Sequence, residues 1–145
     1  MAEQTTSSIE INATPGEVMS VIADFAAYPQ WAQGIKSAVV VESGAQDRAE
    51  QVAFELDQKP LSDTYTLSYV WNGDQSVSWT LVQGKTLKAL DGSYTLEPIP
   101  NGTRVTYKLS VDIAIPMIGM LRRKAEKVII DSALKGLKKR VESIS

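Results

Sequence analysis

The chain has 145 residues and a formal net charge of −2, which fits one domain with a sizeable core and gives no overall field for nucleic acid. It contains no Cys and no His, which excludes disulfides, thiolate nucleophiles and Cys- or His-ligated transition metals. Ser-His-Asp and Cys-His catalysis therefore cannot occur within it, and acid–base work falls to Asp, Glu, Lys or Tyr.

Met1 to Ser8 is polar and lacks the basic start and apolar run of a signal peptide. Ser7 to Asn12 then reads as a first strand with Ile9 and Ile11 on one face. Thr14 supplies an N-cap hydroxyl, Pro15 fits the first helical position, and Glu17 closes a capping box. The helix carries Val18, Val21, Ile22 and Phe25 as one apolar stripe. Tyr28-Pro29 is expected to break it, because a residue before Pro disfavours the helical region. A second short helix or turn follows around Trp31, over Gln30 to Gly34.

Strands come next. Ile35 to Glu42 holds Val39, Val40 and Val41, an apolar run far too short to span a bilayer. Ala49 to Asp57 sets Val52, Phe54 and Leu56 on one face. Leu61 to Trp71 alternates Tyr65, Leu67, Tyr69 and Trp71 against Thr64, Thr66 and Ser68. Asn72-Gly73-Asp74 is a hairpin turn. Ser76 to Val82 sets Val77, Trp79 and Leu81 against Ser78 and Thr80. Thr86 to Glu97 contains Tyr94 and an Asp91-Gly92 pair that reads as a bulge. Thr103 to Ile113 places Val105, Tyr107, Leu109, Val111 and Ile113 on one face. Short strands joined by tight turns predict an antiparallel meander with one apolar, aromatic face.

From about Pro116 to Ser143 the period changes to three- and four-residue steps, through Ile118, Leu121, Ala125, Val128, Ile129, Leu134, Leu137 and Val141. This helix is long enough to cross a whole sheet. Arg122 to Glu142 carries eight bases against three acids. Its readings are a contact with an anionic membrane surface, RNA or an acidic partner, or a solvated face whose cations suit the helix C-terminus; the last is preferred. Met117 to Leu121 reads as a lip at a cavity mouth or as a buried first turn.

These residues together resemble the START-like, or helix-grip, superfamily, and within it the polyketide cyclase/dehydrase and lipid-transport family. The resemblance is carried by Ile9-Glu10-Ile11-Asn12-Ala13, the helix start at Pro15, Glu17 and Val18, Asp24-Phe25 and Tyr28-Pro29-Gln30-Trp31. Gly92-Ser93-Tyr94-Thr95-Leu96-Glu97-Pro98, Gly102-Thr103-Arg104-Val105 and the terminal helix complete it. It covers nearly the whole chain and implies an α+β fold, a single domain over 1–145. An antiparallel sheet of about six to seven strands would grip the C-terminal helix, with two short helices after the first strand. Members bind sterols, lipids, polyketides, quinones or plant metabolites; some catalyse cyclisation or dehydration, and others carry or sense. Fold alone does not choose among these.

Trp31, Phe54, Tyr65, Tyr69, Trp79, Tyr94, Tyr107, Leu121 and Val128 are the expected wall residues of a cavity between sheet and helix. Any one aromatic is more often plain core, but several Tyr and Trp on one face bring polar tips that need partners. Trp31 reads as a gate at the rim or, preferably, as a staple holding the short helices to the sheet. Asp57, Asp63, Asp112 and Glu55 read as solvated surface charge, so no acid–base dyad, catalytic residue or metal site is assigned, and no cofactor is expected. The leading expectation is a soluble cytoplasmic protein that binds a small hydrophobic or amphipathic ligand of the lipid, polyketide or quinone class, without nucleic acid. A transient membrane contact is left open. The rival readings are a cyclase or dehydratase that works by positioning, and an interaction module with a vestigial cavity.

Overall fold

The computed structural model describes residues 4–45, 48–58, 61–113 and 119–144, the side chains of 58, 61 and 119–121 excepted. The elements run β1 (Thr5–Ile11), α1 (Pro15–Ala23), a 3₁₀ turn (Phe25–Ala27), α2 (Tyr28–Trp31), β2 (Ile35–Ser43), β3 (Ala49–Gln58), β4 (Leu61–Asn72), β5 (Ser76–Gly84), β6 (Leu87–Ile99), β7 (Gly102–Ile113) and α3 (Gly119–Ile144). The strands form one seven-stranded sheet in the order β1-β7-β6-β5-β4-β3-β2, and every neighbouring pair is antiparallel. This is the expected helix-grip architecture. The two edges, β1 and β2, are joined through α1 and α2, and the meander from β2 to β7 leads back to β1.

The start of α1 follows from its capping box. The Glu17 amide donates to the Thr14 hydroxyl at 3.2 Å, and the Thr14 amide donates to the Glu17 carboxylate at 3.0 Å. The helix ends earlier than expected, at Asp24, whose amide turns back to the Val21 carbonyl. Phe25 therefore belongs to the 3₁₀ turn. Pro29 opens α2 instead of ending α1: it stands in the first turn, where its missing N–H costs nothing, and Tyr28 before it is helical.

The helix α3 packs chiefly along β1 and β7 and touches α1 and α2. Its buried stripe is Glu126, Ile130, Leu134, Leu137 and Val141, a step of four, four, three and four. Val18, Met19, Ile22, Ile11, Val105 and Leu109 meet it as a close-packed aliphatic core. Gly136 lets α2 cross α3 closely: a Cβ there would strike the Trp31 carbonyl. Gly102, at φ 154°, opens β7 where a side chain would strike the Ile11 carbonyl. The expected helix start at Pro116 and the lip over Met117 to Leu121 fall outside the described residues, except for the helical backbone from Gly119.

Candidate functional site

Away from α3, the inner face of the sheet carries an aromatic row built by register. Phe54 on β3 lies opposite Tyr65 on β4, Tyr69 opposite Trp79 on β5, and Tyr94 on β6 opposite Tyr107 on β7. Ring centroids in these pairs are 5.4, 5.6 and 4.6 Å apart. Trp79 sits opposite Gly92, and the pairing there is regular: the expected Asp91-Gly92 bulge is absent. Gly92 serves Trp79 instead, because a Cβ at 92 would collide with the indole. The β6–β7 irregularity falls between Leu87 and Ala89.

These rings do not fill the space beneath α3. A cavity of about 110 Å³ remains, lined by Trp31, Phe54, Tyr65, Tyr69, Trp79, Tyr94 and Tyr107 among others. Ile129 and Ala133 of α3 form its roof. Trp31, Ala32 and Gln33, partly or fully exposed, stand on its wall with Ile35 and Leu56 and mark its mouth. Seven of the nine expected residues are thus brought together. Val128 is not among them: it is 47% exposed and points outward, because the stripe centred on Ile130 turns Ile129 to the cavity and Val128 to solvent. The side chain of Leu121 lies outside the described residues. Tyr65, Leu67 and Trp79 are buried and Thr80 is exposed, as alternation predicts; Thr66, on the outer face, is nonetheless covered.

All five tyrosines of the chain line this one cavity. Burial holds every one of these phenols above its ordinary range near 10, so they stay protonated. Tyr107 neighbours the other four closely enough that its ionisation would oppose theirs. The Tyr28 hydroxyl donates to the Ile22 carbonyl at 2.5 Å. Among the described residues, no protein acceptor lies within hydrogen-bond reach of the Tyr65, Tyr69, Tyr94 or Tyr107 hydroxyls. Among the described residues the buried indole N–H of Trp31 also has no hydrogen-bond partner. Trp31 is both staple and wall: its ring lies tilted 4.8 Å from that of Tyr28, it abuts Gly136 and it lines the cavity.

No Asp, Glu, Lys or Arg is among the described lining residues. Two carboxylates are nevertheless structural. Asp63 accepts from the amides of Lys85, Thr86 and Leu87 at 2.9–3.1 Å, fixing the β5–β6 turn and with it Leu87 on the cavity wall. This corrects its reading as solvated surface charge. Glu126, 2% exposed, accepts from the Thr5 hydroxyl at 2.6 Å and the Val111 amide at 2.7 Å. Thr5 pairs with Leu109, so Val111 lies two residues past the last described β1–β7 pair, and there the carboxylate accepts from its amide. The sequence signal for Glu126 is its place four residues before Ile130 on the buried stripe.

The basic face of α3 is partly paired within the fold. Lys127 meets Asp131 at 3.2 Å, Lys138 meets Glu142 at 3.0 Å and the Glu10 carbonyl at 2.7 Å, and Arg140 donates to Gln30 at 3.1 Å. Among the described residues, no helix is long and apolar enough to cross a membrane.

The fold is similar to that of a START superfamily protein from Mycobacterium smegmatis, with TM-score 0.91, 22% identity and 99% of each chain covered. A protein of Thermus thermophilus matches with TM-score 0.82 and 22% identity, over 98% of this chain and 99% of that one. The Zhui aromatase/cyclase from a Streptomyces species matches with TM-score 0.74 and 11% identity, over 96% of this chain and 93% of that one. No curated protein matches the sequence. The model of the family described as polyketide cyclase / dehydrase and lipid transport matches residues 2–142, and the chain belongs to that family.

Proposed function

We propose that this chain, acting as a single cytoplasmic START-like domain, reversibly binds a small, mainly apolar molecule in the cavity between its sheet and α3. Trp31, Phe54, Tyr65, Tyr69, Trp79, Tyr94 and Tyr107 are the contact residues, joined by Ile129 and Ala133 from the helix. The observation that carries this reading is the gathering of every tyrosine in the chain around one internal space. A core built only for stability would fill that space with aliphatic side chains, as around Ile11, Val18, Val105 and Leu137. Carrying or sensing, with a lipid, polyketide or quinone as cargo, is the activity meant.

Catalysis is the second reading, favoured by the fold likeness to an aromatase/cyclase. Here it would rest on positioning and on neutral tyrosine donors polarising a carbonyl, since the described wall offers no carboxylate, ammonium or imidazole to move a proton. Native mass spectrometry of freshly purified protein, with organic extraction of what co-purifies, tests the binding reading. A small molecule at stoichiometric occupancy, released on unfolding, is expected. The reading fails if neither that experiment nor a panel of lipids, quinones and aromatic ketones yields a bound species or shifts the melting temperature.

A further inference from the structure

The two edges of the sheet are finished differently. At β1 the helix α3 closes the edge: Lys138 donates to the Glu10 carbonyl at 2.7 Å, and Glu142 accepts from the Asn12 amide at 3.0 Å. At β2, the opposite edge, no side chain or strand does this among the described residues. The 3₁₀ turn and α2 approach β2, yet of its backbone groups only the Ile35 amide bonds outside the sheet, to the Ala32 carbonyl. Val39, Val40 and Val41 are 59%, 44% and 59% exposed there. Unpaired backbone groups beside exposed apolar side chains make an edge that another strand can join.

The β2 sequence is complementary to itself. With two β2 strands antiparallel about a two-fold axis at Val39, Val39 faces Val39, Ala38 faces Val40 and Lys36 faces Glu42. The charge pair then occurs twice. Lys36 reaches Asp57 and Glu42 lies opposite Gln51, so both charges stand on the outer face of the sheet. The register shifts of β2 against β3 fall on either side of Ser37–Val40, which leaves the central run regular. Moving the axis to Val40 sets Glu42 against Ala38, and moving it to Ala38 sets Lys36 against Val40, so of these registers only the one at Val39 pairs charge with charge. Among the described residues Glu42 has no ion-pair or hydrogen-bond partner in its own chain. We infer that two copies of this chain associate through β2, antiparallel about Val39, and join their seven-stranded sheets into one. One strand per copy makes a small interface, so the association is weak and reversible. It does not depend on what the cavity binds.

Sedimentation velocity of the full chain, from micromolar to millimolar concentration, tests it. A concentration-dependent equilibrium between monomer and dimer is expected. Val39→Lys sets two ammonium groups face to face at the axis and should weaken association at least about tenfold. Val70→Lys changes a valine that is at least as exposed but lies on β4, two strands inward, and should leave association unchanged. Lys36→Glu sets like charges against Glu42 at both ends and should weaken association about tenfold, as should Glu42→Lys. The double exchange, Lys36→Glu with Glu42→Lys, should return it to within about twofold of the parent. All four side chains are exposed, and far-ultraviolet dichroism checks each fold, so a failure of Val39→Lys to fold leaves the charge exchange as the test. The inference is overturned if the parent stays monomeric at millimolar concentration, or if Val70→Lys weakens association as much as Val39→Lys. It is also overturned if the double exchange does not restore what the single changes remove.

Discussion

Over β1 and β7 the inner face of the sheet meets α3 side chain to side chain, with Val105, Leu109, Ile130 and Leu137 almost fully buried. Over β3 to β6, and at Tyr107 of β7, the same face carries rings that surround a cavity. The first half is packed to completion, whereas the second keeps a cavity that opens past Ala32 and Gln33. The difference lies in side-chain shape. Branched aliphatics interdigitate with a helix, whereas large rings standing off a sheet prop the helix away and keep their polar tips in the gap. The two roles meet on β7, where Val105 belongs to the packed core while Tyr107, Leu109 and Val111 line the cavity.

The largest effect that would sharpen this division is alkaline unfolding. Every tyrosine is on the cavity side with its folded pKa raised by burial. The unfolded chain then loses phenol protons first, so the tyrosines' contribution to stability is constant below about pH 10 and is lost above it, by up to about 1.4 kcal/mol per pH unit for each group. Phenolate absorbance should therefore rise together with loss of far-ultraviolet dichroism. Tyrosines titrating near pH 10 in a folded protein would break the comparison.

Truncation should separate the halves next. Ile130→Ala, in the packed half, should cost about 3 kcal/mol in urea unfolding, because the site cannot collapse. Ile129→Ala, one residue away on the half-exposed cavity roof, should cost about 1 kcal/mol or less. Equal costs would mean that the two faces of α3 are equally packed. Glu126→Leu should cost about 2 kcal/mol, since it leaves the buried Val111 amide without an acceptor. Glu126→Gln, which keeps an acceptor oxygen, should cost less in the same assay.

Two hydroxyls give the finest comparison. Tyr28→Phe removes a satisfied hydrogen bond and should lower stability by about 1 kcal/mol. Tyr94→Phe removes a hydroxyl with no protein acceptor among the described residues and should change stability by less than about 0.5 kcal/mol. If the second cost matched the first, the Tyr94 hydroxyl would have a structural partner.

The alternation in β3, β4 and β5 makes the aromatic face legible, because a strand of period two states its faces directly. The capping box at Thr14 and Glu17 is equally plain, being local. What fails depends on partners far away in sequence. Gly92 resembles a bulge because its real reason, the indole of Trp79, lies across a strand pair. Val128 suggests burial because valine suits a core, while Glu126 carries the stripe under the guise of a surface charge. Asp63 shows nothing locally of the three amides it holds. Pro29 misleads in another way: proline can begin a helix as readily as end one, and only the earlier turn at Asp24 decides between the two.

The order of the strands also governs how the chain comes together. From β2 to β7 each strand pairs with its successor, so the aromatic half can assemble hairpin by hairpin, at the low cost of closing short loops. The first strand has no such neighbour: Thr5 waits for Leu109, and α3 follows later still. During synthesis, at about 5–20 residues per second, β1 stays unpaired for several seconds while the rings of the meander have no roof. The aliphatic core between β1, β7 and α3 is therefore the part that closes last, and until then the aromatic face of the meander lies open.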